Sequence, residues 1–217
     1  MVQDEQEFSH QRQIMLRDQI QGRGIKDKRL LAAMRKVKRH LFVPPAFRHL
    51  AYEDYPLPIG QEQTISQPYI VALMTELLML KGNERVLEIG LGSGYQAAIL
   101  AELAKEVYAI EILEPLAIAA QKLLKESGYE NVYVQSTDGF LGWPEQAPFE
   151  AIIVTCAPEN IPAPLIEQLT EGGRLVIPVG GRPSQELQLI KKVSGKIEIT
   201  SIIPVTFVSM TRSKKAL

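Results

Sequence analysis

Short runs rich in valine and isoleucine alternate with helical runs from residue 85 onward, and this alternation constrains the fold more than any other feature. "RVLEIG" (85–90), "EVYAIE" (106–111), "NVYVQ" (131–135), "EAIIVTC" (150–156) and "GRLVIPV" (173–179) read as strands. Helical runs cover Tyr95–Ala104, about Pro115–Ser127 and Pro164–Thr170. Strands that are apolar at nearly every position belong to a parallel sheet covered on both faces. Strand–helix alternation of this kind predicts an α/β, doubly wound, mostly parallel sheet. "LQLIKKV" (187–193) and "SIIPVTFVSM" (201–210), with a turn at Ser194-Gly195-Lys196, predict a hairpin that adds an antiparallel edge strand.

The first 80 residues have a different texture. Residues 5–21 are charged and amphipathic, with Phe8, Ile14, Met15 and Ile20 loosely on one helical face. Gly22 and Gly24 interrupt them. Residues 27–39 predict a second helix with Leu30, Leu31, Met34 and Val37 on one face. Its basic run "RKVKRH" is expected to be a solvated face and C-terminal turn, where cations suit the helix dipole. "LFVPPAFRHLAYEDYPLPIG" (41–60) reads as an ordered connector. His40 and His49 have no cysteine or carboxylate at metal-ligand spacing, so no metal site is expected. The expected organisation is an N-terminal helical extension, including the T-I-S segment, over residues 1–80, packed on a core domain over 81–217 as one compact unit.

Bulk properties narrow the function classes. A formal net charge of −1 over 217 residues lacks the basic footprint of a general nucleic-acid binder. The single cysteine, Cys156, allows no intramolecular disulfide and fits a reducing compartment. No signal-peptide pattern opens the chain, and the apolar run Ile70–Leu80 is too short to span a bilayer. The expectation is a cytoplasmic protein with no membrane and no nucleic-acid partner.

The strongest chemical signal is "VLEIGLGSGY" (86–95). A strand ends in Glu88-Ile89-Gly90-Leu91-Gly92-Ser93-Gly94-Tyr95, and a helix follows. Glycines at such a turn let the backbone approach a ligand closely. The spacing is G-x-G-x-G, and Tyr95 stands where a third dinucleotide glycine would fall. Glu88, two positions before Gly90, opposes a phosphate but suits a cationic ligand. The expected ligand is a nucleoside with positive charge, S-adenosylmethionine, which has a sulfonium and an amino group. Glu111, 21 residues after Gly90, ends the second strand with Ile112 beside it. An acid there accepts hydrogen bonds from both ribose hydroxyls. Asp138-Gly139 follows the third strand and offers an acceptor for an adenine amino group.

"GQEQTISQPY" (60–69) precedes an apolar periodic run. Ser66, two residues before Pro68, makes a good helix N-cap. A cap can also face a ligand, because free N–H groups point outward there.

Together, "LPIGQEQTISQPYIVALMTELL", "VLEIGLGSGYQAAILAEL", "TDGFLGWPEQAPFEAIIVTCAP" and "IPAPLIEQLTEGGRLVIPVG" resemble the protein-L-isoaspartate O-methyltransferase family from about residue 12 to 180. The glycine turn is shared by most class I methyltransferases; the Q-T-I-S-Q-P segment is family-specific. The resemblance implies a Rossmann-like class I fold and methylation of L-isoaspartyl carboxylates in damaged proteins and peptides from S-adenosylmethionine, leaving S-adenosylhomocysteine. It places the active-site serine at Ser66, with Thr64 as the neighbouring hydroxyl. Gln67, Pro68, Tyr69 and Ile70 would run along the cofactor edge. It also implies a monomer. A carboxylate is already ionised at pH 7, so Ser66 is expected to orient the substrate rather than attack it. Departures from the family pattern are Glu62, where glycine is usual, Cys156, where alanine is common, and Val205–Met210, which lacks an arginine and a proline. Cys156 is expected to be a small buried thiol, and Trp143 to pack near the site. Two other readings remain: the same fold with a different acceptor, and a cofactor-binding protein without turnover.

Overall fold

The structure, a computed structural model, describes residues 2–181 and 184–212; residues 2–4 are described by backbone alone. Residues 1, 182, 183 and 213–217 of the two expected segments lie outside this range. Helix α1 (Val2–Ile14) runs on through a π-helical turn, Met15–Ile20, and a 3-10 turn, Gln21–Arg23. The wider π-turn places Met15, Leu16 and Ile20 all in the core. Gly24, at φ 97°, ends it in the left-handed region open to glycine. Helix α2 (Lys28–Lys36) is capped by Asp27, whose carboxylate accepts from Arg29 N at 2.8 Å and Leu30 N at 3.2 Å.

The basic run after α2 divides. Arg35, Lys36 and Lys38 are exposed as expected, but Arg39 and His40 are buried. Arg39 Nε donates to Ala51 O at 2.7 Å, and its guanidinium lies 4.9 Å from the Tyr95 ring centroid. His40 stacks on Phe8 at 4.1 Å and meets the Tyr52 hydroxyl at 2.8 Å. Burial lowers the His40 pKa to about 4. The helical-face expectation failed here because the chain turns inward at Val37, where α2 ends.

Strands β1 (Leu57–Gly60) and β2 (Gln63–Ile65) form a small antiparallel hairpin. Helix α3 (Pro68–Leu78) follows, capped at Gln67 with Pro68 in its first turn. Ser66 is therefore not the cap residue, and "QTI" is a strand rather than a helix entry. The remaining elements are β3 (Arg85–Ile89), α4 (Tyr95–Ala101), β4 (Glu106–Glu111), α5 (Glu114–Glu126), β5 (Val132–Ser136), β6 (Phe149–Val154), α6 (Ala163–Glu167), β7 (Leu169–Val179), β8 (Gln185–Val193) and β9 (Lys196–Val205).

The large sheet has seven strands in the order β5-β4-β3-β6-β7-β8-β9. Strands β3 to β7 pair in parallel, with Val86 opposite Val107 on one side and Ala151 on the other. β8 runs antiparallel to β7, and β9 antiparallel to β8, so the tail hairpin closes one end of the sheet. Strand parity sorts the core into two layers. Val86, Val107, Ala109, Ala151, Ile153 and Val176 face a core shared with Met15, Leu30, Met34 and Val71 of the N-terminal elements. Leu87, Ile89, Ile110, Ile152, Val154, Leu175 and Ile177 face the other layer with Leu165 of α6.

Helix α6 is shorter than the expected Pro164–Thr170, and β7 is longer. The Gln168 side chain bridges Leu141 O and Trp143 N at 2.8 Å each. Pairing to β6 is already present at Phe149↔Leu169, with a register shift before Ala151↔Arg174.

Candidate active site

Strand order reverses direction between β3 and β6, and the crevice beyond the carboxyl ends of those strands is where an open α/β sheet binds ligands. The Gly90–Gly94 turn leaves β3 there. Gly90 N and Leu91 N both donate to Ile110 O, at 2.8 and 3.1 Å. Gly90 has φ 93°, and a Cβ on it would lie 2.5 Å from Thr155 Oγ1. Strain and crowding together select glycine at this position. A cavity of about 910 Å³, counting its mouth, opens at the turn, of the size that takes a small-molecule ligand.

Glu88 and Glu111 both line this cavity and are both buried. Glu111 Oε2 accepts from Gly92 N at 2.8 Å, and Oε1 from Leu113 N at 3.0 Å. Each carboxylate oxygen keeps a second lone pair for a ligand hydroxyl. Glu88 is different: both of its oxygens are buried with no hydrogen-bond partner among the described residues. Burial, and then the charge of Glu111, raise its pKa well above the carboxylate range. A buried, unpartnered acid in a cavity fits a ligand that brings a positive charge or donors. The arrangement thus suits the sulfonium nucleoside expected from the sequence. Among the described residues, no group of His, Cys, Asp and Glu could hold a metal ion.

Of the residues expected from the sequence, Thr64, Ser66, Glu88, Gly90, Leu91, Gly92, Ser93, Tyr95, Glu111, Ile112 and Gly139 line the cavity together. Gly94 sits behind the turn, where its missing Cβ makes room for Leu124 of α5. Asp138 caps the short 3-10 turn Gly139–Leu141, its carboxylate accepting from Phe140 N at 3.0 Å. Gln67 and Ile70 line a second cavity that adjoins the first. Pro68 is buried in α3, and the Tyr69 ring is covered by the Arg23 guanidinium at 3.5 Å. The first cavity does not gather Pro68 and Tyr69.

The second cavity continues along Ser184, Gln185 and Pro204–Val208. It shares Thr64, Ser66 and Thr155 with the first, so three hydroxyls stand where the two spaces meet. Thr155 is absent from the sequence expectations. Its signal was its place at the carboxyl end of the fourth apolar strand, beside the glycine turn.

The wall formed by Val208–Thr211 was also missed. Pairing to two segments holds it. Gln185 Nε2 donates to Phe207 O at 3.1 Å, and Phe207 N donates to Gln185 Oε1 at 2.6 Å. Ala157 N then donates to Val208 O, and Met210 N to Ala157 O, each at 2.8 Å. Cys156 is half-buried and lines the cavity rather than being enclosed in the core; its thiol is pushed up to about 12 by burial and then by Glu111. Trp143 packs edge-on to Tyr108 at 5.6 Å, as expected of a packing residue. Glu62 is exposed at the tip of the β1–β2 turn.

Comparison with known proteins agrees with this geometry. A family model described as protein-L-isoaspartate(D-aspartate) O-methyltransferase matches residues 10–215. The chain is 56% identical over 207 residues to a protein-L-isoaspartate O-methyltransferase of Opitutus terrae, covering 95% of this chain and 89% of that one. A solved protein-L-isoaspartate O-methyltransferase superposes with TM-score 0.82 at 29% identity; the match covers 91% of this chain and 65% of the other. A putative enzyme of the same name from Plasmodium falciparum, in complex with S-adenosyl-L-homocysteine, superposes with TM-score 0.81 at 25% identity, covering 92% and 97%. No helix among the described residues is long and apolar enough to cross a membrane.

Proposed function

The chain belongs to the protein-L-isoaspartate(D-aspartate) O-methyltransferase family, and from that membership we infer how its two cavities divide the work. It methylates the free carboxylate of L-isoaspartyl residues in damaged proteins and peptides, the first step of their repair to L-aspartyl. Bound S-adenosylmethionine supplies the methyl group on a positively charged sulfur. The observation that carries the division of labour is the meeting of the two cavities at Thr64, Ser66 and Thr155.

The acceptor carboxylate has a reference pKa of about 4, so it is ionised without help from a base. One C–O bond forms as one C–S bond breaks, and no proton moves. What remains for the chain is alignment, which is worth several orders of magnitude in rate. In our reading Ser66 and Thr64 donate hydrogen bonds to the acceptor and hold it at the shared mouth. Glu111 accepts from the ribose hydroxyls, Glu88 faces the cationic end of the cofactor, and Asp138-Gly139 borders the adenine. Gln67 and Ile70 belong to the acceptor side. The N-terminal 80 residues act as a substrate-bearing extension of the 81–217 core. We also read the protein as cytoplasmic and without a nucleic-acid partner, which its single cysteine and near-neutral charge support, and as a monomer, which the family resemblance implies.

The test is methyl transfer from labelled S-adenosylmethionine to two peptides that differ only in L-isoaspartate against L-aspartate. Transfer to the first alone is expected. Equal transfer to both, or to neither while S-adenosylhomocysteine still binds, would overturn the acceptor assignment.

A further inference from the structure

Thr155 follows the last residue of β6 and continues its pairing with β3, its N–H donating to Ile89 O at 2.9 Å. Its hydroxyl lies 2.5 Å from Gly90 O and 3.1 Å from Ile89 O. A hydroxyl has one proton, so Gly90 O takes the larger share. The same oxygen occupies the space that a Cβ on Gly90 would need. Threonine and glycine are thus matched across the switch point of the sheet. The same side chain also borders both cavities.

We propose that Thr155 is a positioning residue for methyl transfer: its hydroxyl clamps the Gly90 carbonyl, which fixes the glycine turn that seats the cofactor in register with Ser66 and Thr64. The clamp acts on the first residue after β3: Ile110 O holds the Gly90 N–H, and the Thr155 hydroxyl holds the Gly90 carbonyl on the other side. Without the clamp both cavities persist, but the angle between donor and acceptor is less well defined. Small misplacements of reacting atoms cost rate far more than affinity. This proposal rests on the isoaspartyl methyltransferase reading above.

Thr155→Ala removes the hydroxyl without setting a methyl against Gly90 O, which lies 2.5 Å from Oγ1; Thr155→Ser keeps the hydroxyl. For Thr155→Ala we expect kcat on an isoaspartyl peptide to fall about tenfold or more, with peptide KM within about threefold of wild type. In the cofactor-free protein, amide hydrogen exchange across residues 90–94 should rise about fivefold or more. Thr155→Ser should restore both. A merely structural role would lower the melting temperature without splitting kcat from KM. Should Thr155→Ala not fold, Thr155→Val, which fills the space that alanine leaves, takes the same readouts. The proposal is overturned if kcat of the hydroxyl-less variant stays within twofold, if exchange at 90–94 is unchanged, or if Thr155→Ser is equally impaired. Should wild type bind S-adenosylhomocysteine yet transfer nothing to the isoaspartyl peptide, the acceptor reading fails, and the exchange measurement still decides on Thr155.

Discussion

Glu88 and Glu111 lie at the carboxyl ends of neighbouring parallel strands and border one cavity, but only Glu111 has its oxygens engaged. One acid builds the turn, and the other waits for a charge. This asymmetry sets the first two predictions.

Glu88 holds its proton more tightly in the folded protein than in the unfolded chain, because burial and then Glu111 raise its pKa. The folded state therefore binds more protons, and the stability this group contributes is full at low pH. It is lost as pH rises from the ordinary carboxylate range, about 4.3, toward the raised value. Glu88→Gln does not titrate. In the cofactor-free protein the variant's stability relative to wild type should climb with pH above that range, by at most about 1.4 kcal/mol per unit. Denaturant melts of both proteins from pH 4 upward decide the matter, and parallel curves would reject it. The same variant should bind S-adenosylhomocysteine more weakly.

Ser66→Ala should lower the transfer rate and leave S-adenosylhomocysteine affinity within about twofold, whereas Glu111→Ala removes the acceptor for Gly92 N and Leu113 N. Losing a charged acceptor is worth about 1.5–3 kcal/mol, roughly ten- to a hundredfold in affinity. Calorimetry on the two variants separates the roles, and equal losses of affinity would contradict them.

Gln61 and Glu62 occupy the β1–β2 turn with φ of 50° and 57°, both in the left-handed region. A hairpin turn of that shape favours glycine or asparagine. Glu62→Gly should stabilise the protein by about 1 kcal/mol, a rise of roughly 2–4 °C in melting temperature for a domain of this size. The exposed side chain touches neither cavity, so activity should be unchanged; a melting temperature at or below wild type would sink the idea.

Gln185→Leu leaves the N–H and C=O of Phe207 without their side-chain partner. We expect a loss of about 1–3 kcal/mol in stability. S-adenosylhomocysteine should also bind less tightly, since Val208–Thr211 line the cofactor cavity. Unchanged affinity would show that this wall is held by Ala157 alone.

The sheet was legible because Val86, Leu87 and Ile89, Val107 to Ile110 and Ala151 to Val154 fill both faces with largely apolar side chains, the pattern of a covered parallel sheet. The cavity at the glycine turn was legible because Gly90 and Glu111, which both line it, occupy positions fixed by strand ends. The hairpin at 57–65 was not, because β2 has three residues and its turn uses Gln61 and Glu62 instead of the residues that announce such a turn. Arg39 hid for another reason: on a helical wheel it is one more surface cation, and only the inward turn at Val37 buries it. Thr155 directly follows a strand whose buried residues, Ala151 to Val154, all say packing.

The cavity at the glycine turn draws its walls from segments around residues 64, 90, 111, 155 and 209. A ligand seated there bridges segments from residue 63 to residue 211, so a form in which these segments have not come together cannot hold it. Occupancy at a hundred times the dissociation constant adds about 2.7 kcal/mol to the stability of every segment at once. Donor and product alike should therefore slow proteolysis of the folded chain in proportion to their occupancy.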